Sequence, residues 1–186
     1  MRMRVGLLLL LSLGLATTAQ AVSRLNSYGT YAETNFGFGR VKESVAGSSR
    51  QDTEGFAWSL IVGQRLNMSN ALELGYFQFP DQAFDDGVEG KSNYAFVFMW
   101  KLALPTDHDM RLFGKAGAGL KSHQLSGPVP EEGSSVKFAG MLGAGLDYAI
   151  TSTLNATVQY NFFFKNSSEN PAMWLVTGGF SYYFIT

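Results

Sequence analysis

Residues 91–104 read KSNYAFVFMWKLAL. Successive side chains of an extended strand point to opposite faces, so Tyr94, Phe96, Phe98, Trp100 and Leu102 share one face. Asn93, Ala95, Val97, Met99 and Lys101 share the other. The first face is entirely apolar and mostly aromatic, whereas the second is smaller and carries the amide and the ammonium. A sheet built from such strands is greasy on one side and polar on the other.

The pattern recurs along the chain. In residues 153–165, Leu154, Ala156, Val158, Tyr160, Phe162 and Phe164 oppose Asn155, Thr157, Gln159, Asn161, Phe163 and Lys165. Phe56, Trp58, Leu60 and Val62 share a phase in a stretch at 54–66, as do Trp174, Val176, Phe180, Tyr182 and Phe184 at 172–185. Adding 28–41, 70–80, 110–121 and 135–149 gives eight alternating stretches. After residue 21 no run is long and apolar enough to cross a bilayer as a helix, which takes about 20 residues. In lipid, only helices and closed sheets satisfy every backbone polar group. The pattern therefore predicts an all-β chain, an eight-stranded antiparallel up-and-down transmembrane β-barrel. Long connections at 42–53, 81–90 and 122–134 alternate with short ones at 67–69, 105–109 and 150–152. That alternation places both termini in the periplasm and the longer loops outside.

The start of the chain reads as a secretory signal peptide over residues 1–21: Arg2 and Arg4, an apolar run from Val5 to Ala16, and Ala19-Gln20-Ala21 as the cleavage motif. Residues 22–186 then form one barrel domain. The formal net charge is −1, and loss of Arg2 and Arg4 makes the remainder more negative. No basic field exists for nucleic acid. Cysteine is absent, so no disulfide staples the fold.

The stretch FAWSLIVGQRLNMSNALELGYFQF, from Phe56 to Phe79, resembles the second and third strands of small OmpA-type outer-membrane barrels. MLGAGLDYAITSTLNATVQYNFF, from Met141 to Phe163, is similar to another strand pair of that family, with Lys115-Ala-Gly-Ala-Gly119 between them. The resemblance implies residence in the outer membrane of a Gram-negative bacterium and delivery to the barrel-assembly machinery through the C-terminal strand. Phe180, Tyr182 and Phe184 fit the family's terminal pattern, and Ile185-Thr186 after them depart from it.

On this phase Glu33, Arg65, Glu73, Lys101, Arg111, Lys115 and Asp147 point inward from six different strands. Unpaired buried charge is costly, so they are expected to form a structural ion-pair network in a polar interior. Eight strands leave a bore just wide enough for side chains to fill, and at most a narrow pore. Aromatics fall at the strand ends as two girdles at headgroup depth. Phe36, Phe38, Trp58, Tyr94, Phe164 and Trp174 belong to the outer one, and Trp100, Tyr148, Tyr182 and Phe184 to the periplasmic one. Arg40, Lys42, Arg50, Lys91, Lys121 and Lys137 lie near the outer rim, where they are candidates to meet lipopolysaccharide phosphates.

Catalysis finds little support. Some barrels of this size that this chain resembles modify lipid A or phospholipid with a lipid-facing Ser-His pair. His108 sits in a short turn, and His123, beside Ser122 and near Ser126, lacks the spacing for a shared strand face. The acidic stretch Asp81, Asp85, Asp86 and Glu89 does not follow a calcium-loop pattern, so neither metal nor cofactor is expected. A soluble lipocalin-like carrier of a small apolar ligand needs a hollow interior, which Arg65, Glu73, Lys101 and Lys115 would instead fill. The reading is a non-enzymatic barrel that contributes to envelope structure, contacts outer-membrane lipids, and presents loops to an extracellular ligand.

Overall fold

The structure, a computed structural model, describes residues 29–42, 52–83, 89–105, 109–126, 134–164 and 172–184. The expected signal peptide at 1–21, Arg50, His108 and the loop acids Asp85 and Asp86 lie outside the described residues.

Eight long strands run through the described residues: β1 Gly29–Lys42, β2 Asp52–Arg65, β3 Asn70–Gln78, β4 Glu89–Pro105, β5 Met110–Ser126, β6 Ser134–Ala149, β7 Leu154–Phe163 and β8 Ala172–Tyr183. They are hydrogen-bonded in the order β3-β2-β1-β8-β7-β6-β5-β4, and β3 pairs with β4 to close the ring. Every pairing is antiparallel. Closure leaves no sheet edge to satisfy in lipid.

The strand ends differ from the sequence reading where local chemistry intervenes. β3 stops at Gln78 rather than reaching Pro80, because proline has no N–H to give a ladder. Phe79 N still donates to Asn93 O at 2.8 Å, and Asn93 Nδ2 donates to Pro80 O at 2.9 Å. A two-residue strand, Gln82–Ala83, then pairs with Gly90 and Glu89. Between Lys91 and Tyr94 the β4–β5 register slips by a bulge. β5 continues to Ser126, five residues past its expected end, and so narrows the loop before β6.

Two of the tight turns are capped by their own side chains. Asn67 Oδ1 accepts from the backbone N–H groups of Ser69 and Asn70, each at 2.9 Å. Thr151 Oγ1 does the same for Thr153 and Leu154 at 3.2 and 2.9 Å.

The outer surface is an apolar band. Phe96, Phe98, Trp100 and Leu102 of β4, Leu120 of β5, Leu142 of β6 and Val158 of β7 are all exposed. Inside, the contents divide into two levels. The turn end holds Glu33, Arg65, Glu73, Lys101, Arg111, Lys115 and Asp147, all buried. The loop end holds an apolar cluster that includes Phe77, Phe79, Val97, Met99, Met141, Phe163, Met173 and Leu175. The apolar inward residues of the sequence reading, Val97, Met99 and Phe163 among them, thus gather at the loop end apart from the charges. In the outer half Phe77, Phe163, Met173 and Leu175 turn inward from β3, β7 and β8, and this inward set packs on itself.

Candidate functional site: the filled bore and its rims

Each ionic residue occupies an inward position of its strand, and the ring brings all seven together. Lys101 Nζ lies 2.9 Å from Asp147 Oδ2, 3.9 Å from Glu73 and 4.0 Å from Glu33. Lys115 Nζ lies 2.8 Å from Glu73 Oε2 and 3.7 Å from Glu33 Oε1. β1 and β5 are four strands apart in a ring of eight, so the Lys115–Glu33 pair crosses the bore. Arg111 Nη2 stands 3.4 Å from both Asp147 Oδ2 and the Tyr183 hydroxyl. Arg65 Nη2 donates to Tyr183 OH at 3.0 Å and its guanidinium stacks over that ring. The Lys101 ammonium also sits 3.9 Å from the Phe113 ring centroid, a favourable cation–π position.

Neutral polar groups complete this network. Tyr31 OH donates to Glu73. Asn35 Nδ2 and Gln159 Nε2 donate to Glu33 Oε1 at 2.9 and 3.0 Å, and Thr157 Oγ1 donates to Asp147 Oδ1 at 2.9 Å. Charges out of water are tolerated when paired and hydrogen-bonded. Here every charge has an opposite or polar neighbour, while Glu33 Oε2 and Arg111 Nε and Nη1 have no hydrogen-bond partner among the described residues. The charge-based reading did not single out Tyr31, Asn35, Thr157, Gln159 or Tyr183. Their signal is the same phase as the charges, together with a polar atom.

Phe77 of β3 and Phe79 just after it meet Phe163 of β7 edge to face, with centroids 5.2 and 5.1 Å apart. These strands too are four apart in the ring, so the three rings close the bore on its outer side.

The rim cations divide. Arg40 points outward and pairs with Glu54 at 3.1 Å across β1 and β2, and Lys42 is exposed two residues beyond. Lys121 does not face the outside, contrary to expectation. It keeps the inward phase of Lys115 and is only 1% exposed. Lys137, its register partner on β6, is half-buried on the same inner face. Arg50 and the Lys91 side chain lie outside the described residues. Among the aromatic residues assigned to girdles, Phe36, Phe38, Trp100, Tyr148, Phe164, Tyr182 and Phe184 are exposed on the outer face. Trp58, Tyr94 and Trp174 share that face, half-buried, with Tyr94 stacked on Tyr76 and Trp58 tilted against it.

Of the residues considered for catalysis, Ser122 is buried and the His123 and Ser126 side chains lie outside the described part. No cluster of metal-ligating side chains occurs among the described residues.

The sequence pattern that defines the outer membrane protein beta-barrel domain matches residues 5–184. The chain belongs to that family. Among solved structures with this barrel, Neisserial surface protein A superposes with a TM-score of 0.68 at 14% identity, covering 86% of this chain and 99% of that one. The N-terminal barrel domain of Pseudomonas aeruginosa OprF gives 0.61 at 15%, covering 84% and 98%. Ail of Yersinia pestis, in complex with the heparin analogue sucrose octasulfate, gives 0.60 at 16%, covering 85% and 100%. At these identities the likeness to the family's solved members is one of fold. No characterised protein sequence matches the chain.

Proposed function

We propose that this member of the family is a non-enzymatic resident of the outer membrane of a Gram-negative bacterium. In this role it contributes to envelope structure and meets its partners at the lipid-facing wall and the outer loops. The observation that carries the reading is the filled bore: the Phe77–Phe79–Phe163 layer and the ion pairs beneath it occupy the space a carried ligand would need. Function is then left to the outside surface and the loops, where a rigid scaffold commonly displays it.

Arg40 and Lys42 favour lipopolysaccharide as one partner. Both project outward at the rim, above Phe38, Phe56 and Trp174, where a phosphate of the outer leaflet can meet a guanidinium or an ammonium. Ail, which shares the fold, was solved with a polyanion bound. The test is lipopolysaccharide retention. Envelope fractions are extracted in mild detergent from cells carrying the native chain or the Arg40→Gln/Lys42→Gln variant, and lipopolysaccharide co-purifying with the barrel is weighed. A clear loss in the variant supports the reading, whereas equal retention removes these residues from it. Cells lacking the chain should also become more sensitive to detergents, and unchanged sensitivity would count against an envelope role.

A further inference from the structure

The two levels of the bore differ in how they treat water. Below the aromatic layer, Asn35 Oδ1, Gln159 Oε1, Thr177 Oγ1 and both amide atoms of Asn161 are buried with no hydrogen-bond partner among the described residues. Buried polar atoms in native proteins are met by protein or by water, and groups this close together suit a small water cluster. Gln159 and Thr177 are direct register partners, and Asn161 lies two residues beyond Gln159 on the same inner face. At the turn end a recess of about 10 Å³, bordered by Tyr31, Arg65, Ser69 and Lys101, has room for about one water. Polar lining thus extends from the periplasmic end up to Asn161.

Above Asn161 the lining of β7 and β8 turns apolar, while Lys121 of β5 and Lys137 of β6 keep two cations on the inner face towards the outer end. The register partner of Asn161 is Leu175, and the next inward residue on its own strand is Phe163, whose register partner is Met173. Phe163 meets Phe77 and Phe79 across the axis, and all of these side chains are fully buried. An apolar constriction of this kind blocks ions by excluding water. The ion-pair level below it is already polar and can exchange its partners for water.

We propose that the seal of this barrel is the Phe77–Phe79–Phe163 layer with Met173 and Leu175, and that the charged level beneath it is a hydratable vestibule open to the periplasm. The molecule is then a latent pore, closed at the outer half by dewetting rather than by salt bridges.

Single-channel recording in planar bilayers tests this with the whole folded chain, each preparation first shown to be folded by its heat-dependent gel mobility. The native chain is expected to be silent. Phe77→Ala/Phe163→Ala should give discrete conductance steps. Leu175→Asn, which keeps the branching and number of side-chain heavy atoms but makes the layer polar, should do the same and decides the matter if the double variant does not fold. Glu73→Gln/Lys115→Met, which loosens the charged level and spares the seal, should stay silent. The proposal is overturned if the folded seal variants remain silent, or if the charge variant conducts with its aromatic layer intact.

Discussion

Lys115 shows how much one inward residue is asked to do. Its ammonium lies 2.8 Å from Glu73 and reaches Glu33 across the bore, so its removal leaves both carboxylates buried with only Lys101, among the described cations, opposite them at 3.9 and 4.0 Å. Breaking a buried pair in this way costs about 3–5 kcal/mol. Lys115→Met should therefore lower unfolding stability in lipid vesicles by about that amount, read from urea titration. Glu73→Gln on top of it should recover a substantial part; a double variant no better than Lys115→Met would show that the pair is not what the site requires. Glycines offer a second contrast. A Cβ at Gly119 would overlap the Phe96 carbonyl of β4, so the strands approach there only because the side chain is missing. At Gly114 the nearest atom to such a Cβ is the Gly143 carbonyl at 4.0 Å. Gly119→Ala should cost about 1–3 kcal/mol, as overpacking does, while Gly114→Ala should be near neutral in the same titration.

At the scale of strands, the outer band makes depth measurable. Phe98, near the middle of β4, and Phe38, towards the outer end of β1, are both exposed outward. A charge on the lipid face costs about 2–4 kcal/mol at the midplane and about 0–1 near the interfaces. Folding yield into vesicles should thus fall sharply for Phe98→Arg and little for Phe38→Arg, and equal losses would contradict the assigned depths. Strand phase was legible in the sequence because alternation is a local property: β4 and β7 declare their two faces residue by residue. The inward charges followed from the same rule. Lys121 was also legible by that rule, an even number of residues from Lys115, but height along the strand was weighed above phase. The apolar seal was not legible. Phase alone turns Phe163 inward with Asn161, and Phe77 inward with Glu73, but only closure of the ring brings β3 and β7 to opposite sides of one axis and makes these rings a layer. The break at Pro80 was missed because a missing N–H matters only once its would-be partner strand is known.

For the whole molecule, closure makes the folded barrel hard to open in detergent while its helix-free wall remains hydrogen-bonded throughout. Unboiled samples should migrate apart from boiled ones on a gel, and identical mobility would count against the closed ring. Closure also has a topological side. β1 and β8 lie side by side, with Tyr31 opposite Tyr183 and Phe184 N donating to Thr30 O at 2.9 Å, so the first and last described strands finish at the same rim. A ring of this kind has no intrinsic beginning. Joining the chain there with a short linker and opening it instead between Leu66 and Asn70 yields a circular permutant in which every strand keeps both neighbours. Covalent order is then one of several ways to thread the same set of hydrogen-bonded partners.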